Sequence, residues 1–150
     1  MHKDVKIVAV DFDCTLTLAD DSYPACGPAN RIAMEIMKEF RDNGGKVILW
    51  TCRYGEALEN AVELCRKHGL EFDAVNDNLP EQSAKWRELH PDAKMSRKIY
   101  ADVYIDDKDP KAIVAGGIYW DAICKLLLHR PLETFLNEER CSFLFLKKSV

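Results

Sequence analysis

Apolar residues along the chain fall into short continuous runs that alternate with longer, helically spaced patterns. The short runs are near-continuously apolar, as expected for strands of a sheet that is covered on both faces. Between them, apolar residues recur at intervals of three and four, which is typical of one face of a helix. The predicted strands are 5–10, 46–50, 71–75 and 101–105. Their alternation with helices predicts an α/β fold: a three-layer, Rossmann-like, mostly parallel sheet with helices on both faces.

Helix boundaries are predicted from prolines and glycines. Pro28 occupies the place of a first helical residue, and Gly44 and Gly45 end the helix that follows. The remaining predicted elements are a helix around 58–69, a weakly patterned helix over 80–90, a helix around 120–127, and an apolar tail at 143–146 that forms a last strand or a docked end.

Composition and charge narrow the class of protein. The chain has 150 residues, 47% of them hydrophobic, with a formal net charge of −4. That size and balance predict one globular domain over residues 1–150. The negative charge disfavours nucleic acid as a partner, because broad nucleic-acid-binding surfaces are basic, and leaves room only for a local basic patch.

The distribution of apolar residues and cysteines predicts the compartment. No apolar run reaches the roughly 18 residues of a membrane span, so no membrane partner is expected. The apolar run near the N-terminus leads directly into Asp11 and Asp13, which is not the pattern of a signal peptide. The six cysteines form no C-x-x-C pair, so a zinc ribbon is not predicted. We therefore expect a cytoplasmic protein with six reduced thiols.

Polar clusters follow each of the four predicted strands. Because the carboxyl ends of parallel strands meet at one edge, and ligands bind there in open α/β sheets, we expect these clusters to converge. They are 11–13 after the first strand, 51–53 after the second, 76–78 after the third, and 106–107 after the fourth.

The clustered carboxylates indicate phosphoryl chemistry. A carboxylate nucleophile cannot approach a phosphate dianion unless the charge is neutralised, and Mg²⁺ suits that task because it prefers hard oxygen ligands. Asp11, Asp106 and Asp107 could supply such a site. A lysine and a hydroxyl would complete the cradle for the phosphoryl group.

At this point the residues resemble the haloacid dehalogenase superfamily of phosphotransferases, whose four motifs match in order over residues 5–107. The stretches WTCR, FDAVNDN and RKIYADVYIDDK are further similar to a small subgroup of capless bacterial and phage proteins. The matching residues are Asp11, Asp13 and Thr15 in the D-x-D-x-T motif, Thr51, Lys98, and the acidic pair Asp106 and Asp107.

The resemblance implies a Mg²⁺-dependent phosphatase that acts through an aspartyl-phosphate. Asp11 would attack phosphorus. Asp13 would protonate the leaving group, would then deprotonate the hydrolytic water, and would bind the metal through its backbone carbonyl. Thr51 would hydrogen-bond the phosphoryl oxygens, and Lys98 would offset their charge. Asp106 would ligate the metal directly, and Asp107 would ligate it or hold a coordinated water.

Three further residues are predicted to contact the substrate. Thr15 belongs to the first motif. Arg53 follows Thr51 and could grip a phosphate bidentately, although it could equally pair with an acid. Asn76 lies at the end of the third strand, where it reads substrate or shapes a turn.

The sequence departs from the family pattern in the first motif, and the choice of lysine stays open. Cys14 stands where glycine is common, and because its Cβ disfavours a positive φ we expect an ordinary backbone conformation there. Lys94 and Lys108 are alternatives to Lys98 as the active-site lysine.

The chain is too short between its motifs for a cap domain. Only 35 residues separate Thr15 from Thr51, and 46 separate Thr51 from Lys98. Residues 18–27 are the predicted flap. A site without a cap is open to large substrates unless a second subunit of a homo-oligomer covers it.

Two other functions remain as alternatives. One is a catalytically silent binding module that keeps the fold. The other is a phospho-receiver domain, but there the acidic pair usually follows the first strand, whereas here it comes last. The phosphorylated substrate is open among nucleotides, polynucleotide ends, sugar phosphates and phosphoproteins.

Overall fold

The computed structural model describes residues 4–18 and 22–136. The chain divides into two compact units, one ending at Ile118 and the other beginning at Tyr119. The strands are β1 (Ile7–Val10), β2 (Lys46–Leu49), β3 (Ala74–Val75) and β4 (Val103–Ile105), and the helices are α1 (Arg31–Asp42), α2 (Gly55–Lys67), α3 (Pro80–Leu89), α4 (Pro110–Ala115) and α5 (Trp120–Leu128). The predicted element at 143–146 lies outside the described residues, and the prediction of a single domain stays a prediction.

The four strands form one all-parallel sheet in the order β3-β2-β1-β4. Val8 pairs with Val47 on one side and with Val103 on the other, so β1 lies in the interior of the sheet. Between β1 and β4 the described residues form only α1, β2, α2, β3 and α3, without an inserted cap. The α/β fold class is thereby confirmed.

Helices cover both faces of the sheet. Side chains alternate between faces along a strand, so Ala9 and Ile48 share one face, while their neighbours Val8 and Val47 share the other. Right-handed crossovers place α3 against the first face and α1 and α2 against the second. The first face carries a core cluster of Ala9, Ile48, Leu79, Ile99 and Ala101.

Two helices differ from the predictions: α1 begins later than predicted, and α4 is an additional helix. α1 begins at Arg31, not at Pro28, because the Asn30 side chain accepts the Ala33 N–H at 3.2 Å and caps the helix there. The Pro28 carbonyl instead accepts the Leu18 N–H at 2.8 Å. α4 was not predicted, although Asp109 as N-cap followed by proline at the first helical position is a helix-start signal.

None of the helices in residues 4–18 and 22–136 is both long and apolar enough to cross a bilayer.

Two aspartates fasten the strands at the amino-terminal edge of the sheet. Asp102 accepts the backbone N–H groups of Lys6 and Ile7, each at 3.0 Å. Asp73 accepts the Val47 N–H at 2.9 Å and pairs with the Arg41 guanidinium at 3.2 Å. These carboxylates serve as strand anchors, at the edge opposite the predicted site.

We expect Asp73→Ala to lower the free energy of unfolding by about 1–3 kcal/mol, because a charge-assisted acceptor is removed and buried donors are left unpaired. Burial alone would raise the pKa of Asp73, but the Val47 N–H and Arg41 outweigh burial and hold it below its usual 3.8. A lowered pKa stabilises the fold above the unfolded pKa, and that stability is lost as pH falls.

Urea titrations of both proteins, at neutral pH and below pH 4, measure this effect. The difference between the proteins should shrink in acid. Glu63→Ala is the control, because it removes an exposed ion pair with Arg66. Equal stability of Asp73→Ala and wild type at neutral pH would contradict the anchoring role.

Candidate active site

The carboxyl ends of all four strands meet at one edge, as predicted. Backbone hydrogen bonds continue the sheet by one residue: Asp11 N–H donates to Ile105 O at 2.9 Å, and Asn76 N–H donates to Leu49 O at 2.8 Å. The strand order reverses between β1 and β4, and open α/β sheets form a ligand-binding crevice at such a point.

Three carboxylates converge at this crevice. Asp11 follows β1, while Asp106 and Asp107 follow β4, and carboxylate oxygens of the three lie within 4.8 Å of one another. All three are partly buried. This group, the acidic cluster, matches three of the four predicted metal ligands. The fourth, the backbone carbonyl of Asp13, stays a prediction.

The electrostatics of the acidic cluster favour a cation. Burial, together with the negative charges of Asp106 and Asp107, raises the pKa of Asp11 to about 7, against hydrogen bonds from the Phe12 N–H and the Thr15 hydroxyl. A divalent cation among these oxygens would compensate the charge that burial and mutual repulsion penalise. The donor set is all hard oxygen, so the residues fit Mg²⁺.

The turn after Asp11 is tight and differs from the prediction. The Phe12 carbonyl accepts the N–H groups of Leu16 at 2.9 Å and Thr17 at 3.1 Å, so the chain folds back sharply. Cys14 adopts φ 59°, which makes our expectation of ordinary dihedrals wrong. Its N–H donates to Thr17 Oγ1 at 3.2 Å, and these local bonds offset the roughly 1–2 kcal/mol cost of the left-handed conformation.

Thr15 contacts the carboxylate of Asp11, the predicted nucleophile. Its side chain is buried, and its hydroxyl donates to Asp11 Oδ2 at 3.2 Å. The predicted substrate contact of Thr15 stays a prediction, whereas its orientation of the Asp11 carboxylate is directly observed.

The Arg53 guanidinium is buried and donates its hydrogen bonds to groups of the protein itself. Nε and one N–H of Nη2 donate to Asp13 at 2.8 and 2.7 Å. The other bonds run to backbone carbonyls, from Nη1 to Pro24 at 2.8 Å and to Ala57 at 3.3 Å, and from Nη2 to Ala25 at 2.8 Å. A guanidinium has five N–H donors, and all five are used. The alternative that Arg53 pairs with an acid is therefore what the structure shows, in place of a free phosphate grip.

Asn76 shapes the loop that carries Thr51. It adopts φ 51°, and its side-chain oxygen accepts the Thr51 N–H at 2.8 Å. Its amide group donates to the Arg53 carbonyl at 3.4 Å. The side chain holds a turn, because both ends of its amide are occupied by backbone. Thr51 Oγ1 accepts the Arg53 N–H at 3.2 Å.

The lysines near β4 separate into two environments. Lys108 Nζ lies 2.7 Å from Asp107 Oδ2, and this hydrogen bond raises the pKa of Lys108. Lys98 is exposed, its Nζ lies 5.3 Å from the Tyr104 ring centroid, and it lines a cavity of about 700 Å³ together with Trp86. Lys108 therefore contacts the acidic cluster, and the role assigned to Lys98 stays a prediction.

Four described cysteines of the unit that ends at Ile118 form no disulfides. Cys14 and Cys52 are exposed, Cys26 is half-buried and Cys65 is buried, and all four are free thiols. Burial raises the pKa of Cys65 to about 12, and burial likewise raises that of Cys26. Among these four, Cys14 and Cys52 are the thiols that a reagent in solution can reach.

No family model and no curated protein matches the sequence. A solved structure does match it: a conserved protein coded by a locus of Bacteroides thetaiotaomicron is 35% identical, with a TM-score of 0.65, over 83% of this chain and 91% of that one. Identity and coverage of this extent show common descent and not merely a shared fold, so the chain belongs to the family of this conserved Bacteroides protein.

Proposed function

We propose that this protein is a Mg²⁺-dependent phosphatase that hydrolyses phosphate monoesters through an aspartyl-phosphate on Asp11. The observation that carries the proposal is the acidic cluster at the reversal of strand order. Asp13 lies two residues after Asp11, the member of the cluster that follows β1. Its chemistry is that implied by the resemblance to the haloacid dehalogenase superfamily, and the spatial grouping of the motif residues supports it.

Asp11 is the nucleophile of the proposed reaction. Its carboxylate attacks phosphorus, a P–O bond forms, and the bond from phosphorus to the leaving oxygen breaks with its electron pair. The Thr15 hydroxyl restrains the carboxylate, so less orientation has to be gained during the reaction. When Mg²⁺ is bound at the acidic cluster, it neutralises the charge between the carboxylates and the phosphoryl group.

Asp13 moves the proton in both halves of the cycle. It gives a proton to the leaving oxygen in the first half. In the second half it takes a proton from water, whose oxygen attacks phosphorus and displaces Asp11 as a carboxylate. The net products are an alcohol and inorganic phosphate. General acid–base catalysis of this kind contributes about 10²–10⁴-fold.

The protein supplies hydrogen bonds and positive charge for the phosphoryl oxygens. Asn76 holds the backbone of Thr51 at the carboxyl edge, and the Thr51 hydroxyl would donate to a phosphoryl oxygen. Lys108 lies at the acidic cluster, and Lys98 follows from the resemblance. Which of the two lysines acts is tested by comparing Lys98→Met with Lys108→Met at saturating metal.

Release of inorganic phosphate tests the proposal. Purified protein is incubated with p-nitrophenyl phosphate and a panel of phosphate monoesters, in the presence of Mg²⁺ or of EDTA. We expect multiple turnovers that require the metal. Binding without turnover would favour a silent module, and transfer of a single phosphoryl group to the protein would favour a receiver domain.

Alkylation of Cys14 is expected to inactivate the enzyme. Cys14 is exposed and lies between Asp13 and Thr15, so an added carboxamidomethyl group would crowd the phosphoryl site. The measurement is residual activity after iodoacetamide, with the label located by mass spectrometry.

Cys14→Gly supplies the matched variant, because glycine tolerates the positive φ at this position and carries no thiol. It should remain active and resist the reagent, with Cys52→Ser present in both proteins to remove the other exposed thiol of the described residues. Full labelling of Cys14 with full activity would refute the prediction.

A further inference from the structure

The Arg53 side chain is unusual in being both buried and saturated with hydrogen bonds at a solvent-facing site. Its side chain is 2% exposed, whereas its partner Asp13 is 44% exposed. The guanidinium also lies 5.0 Å from the Phe12 ring centroid and 5.1 Å from that of Tyr23. A planar ion that donates five hydrogen bonds and lies against two rings has essentially one available position.

The Asp13 side chain, by contrast, is 44% exposed and is bound by Arg53. Its neighbour Cys14 adopts a left-handed conformation in a tight turn, and the carboxylate projects towards solvent from that turn. Within residues 4–18 and 22–136, the hydrogen bonds that its two carboxylate oxygens accept come from Arg53. The position of the Asp13 carboxylate is therefore set by Arg53.

Arg53 also joins three parts of the chain. Its bonds to the carbonyls of Pro24 and Ala25 attach residues of the predicted flap to the loop after β2, and its bond to Ala57 attaches both to the first turn of α2. Arg53 thus fixes the Asp13 carboxylate relative to the flap residues Pro24 and Ala25 and to α2.

We propose that Arg53 is a positioning residue that acts through Asp13, fixing the carboxylate that transfers the proton, and that it does not bind the substrate phosphate. This inference rests on the proposed phosphatase function and deepens it. It predicts that loss of the bidentate pair lowers kcat, because a misplaced proton-transfer group is costly, while KM changes little because no N–H of Arg53 is available to substrate.

A double-mutant cycle tests the proposal. Arg53→Lys keeps the charge but loses the two-pronged geometry, so kcat should fall by about tenfold or more. In the Asp13→Asn background the same replacement should lower kcat by less than about threefold, because the group through which Arg53 acts is already lost. A purely structural role for Arg53 would lower kcat by the same factor in both backgrounds.

Arg41 provides a matched control, because it forms the other bidentate arginine–aspartate pair, with Asp73 at the opposite edge of the sheet. Arg41→Lys should reduce stability but change kcat by less than about twofold in either background. If Arg53→Lys fails to fold, Arg53→Gln replaces it in the cycle, since its amide still donates N–H bonds.

Each outcome has one meaning. A wild-type protein that hydrolyses no monoester refutes the proposed function, and the positioning role with it. An active wild type with equal losses in both backgrounds, or a KM that rises at constant kcat, refutes the positioning role alone. A smaller loss of kcat in the Asp13→Asn background, with an unchanged KM, supports it.

Discussion

Replacement of Asp11 by asparagine is expected to abolish phosphate release while leaving the fold intact. The amide is nearly isosteric with the carboxylate but is not a competent nucleophile, so no aspartyl-phosphate forms. The replacement also removes one of three carboxylates that repel one another, and an amide costs less to bury than a charge. Stability without metal should therefore equal or exceed that of the wild type.

Phosphate release and thermal unfolding are measured on the same samples. Beryllofluoride with Mg²⁺, which mimics an acyl-phosphate, should raise the Tm of the wild type and leave that of Asp11→Asn unchanged. Asp73→Asn is the control, because Asp73 is an aspartate of the opposite sheet edge with no place in the mechanism. Turnover by Asp11→Asn near the wild-type rate would overturn the covalent mechanism.

Replacement of Asp13 by asparagine is expected to slow turnover by about 10²–10⁴-fold. The loss should be larger for alkyl phosphates than for p-nitrophenyl phosphate, because a poor leaving group depends more on proton donation. Mg²⁺ affinity should change little, since the expected ligand at this position is the backbone carbonyl, which the substitution preserves.

The ion pair with Arg53 bears both on proton transfer by Asp13 and on the stability of the Asp13→Asn variant. In the structure each oxygen of Asp13 accepts one N–H bond from Arg53, which leaves a second lone pair on each oxygen for the proton that the carboxyl carries. Asp13→Asn also leaves the buried guanidinium without its counter-ion, which lowers stability. Rates are therefore compared per folded protein. Collapse of Mg²⁺ binding with normal chemistry at saturating metal would show that the role of Asp13 is wrong.

The local pattern of the sequence was sufficient to predict the parallel sheet and the edge at which the acidic cluster lies. Strands such as Val47–Leu49 are continuously apolar because both of their faces are buried, and that requirement is written into consecutive residues. Alternation with helices then dictates parallel pairing, and parallel pairing dictates that Asp11, Asp106 and Asp107 meet. Each step depends on chain order and periodicity alone.

The local sequence also contains signals for the starts of two helices, α1 and α4, that differ from the predicted ones. Asp109 before Pro110 marks the start of α4, and Asn30 caps α1, so that this helix begins at Arg31 and not at Pro28. Cys14 was assigned an ordinary conformation on steric grounds, but hydrogen bonds converging on the Phe12 carbonyl compensate for its strain. A local preference of about 1–2 kcal/mol is easily outweighed by such bonds.

The partners of individual polar side chains depended on positions far apart in the chain. Arg53 and Asp13 are 40 residues apart, and nothing in the WTCR stretch distinguishes an arginine that grips phosphate from one that holds a carboxylate. Periodicity and motif order specify which elements form and which edge they share, because these follow from the burial of local faces. The division of work among the polar residues, with Arg53 and Asn76 holding the site and Asp73 anchoring a strand, follows from three-dimensional distances of about 3 Å that only the packed fold defines.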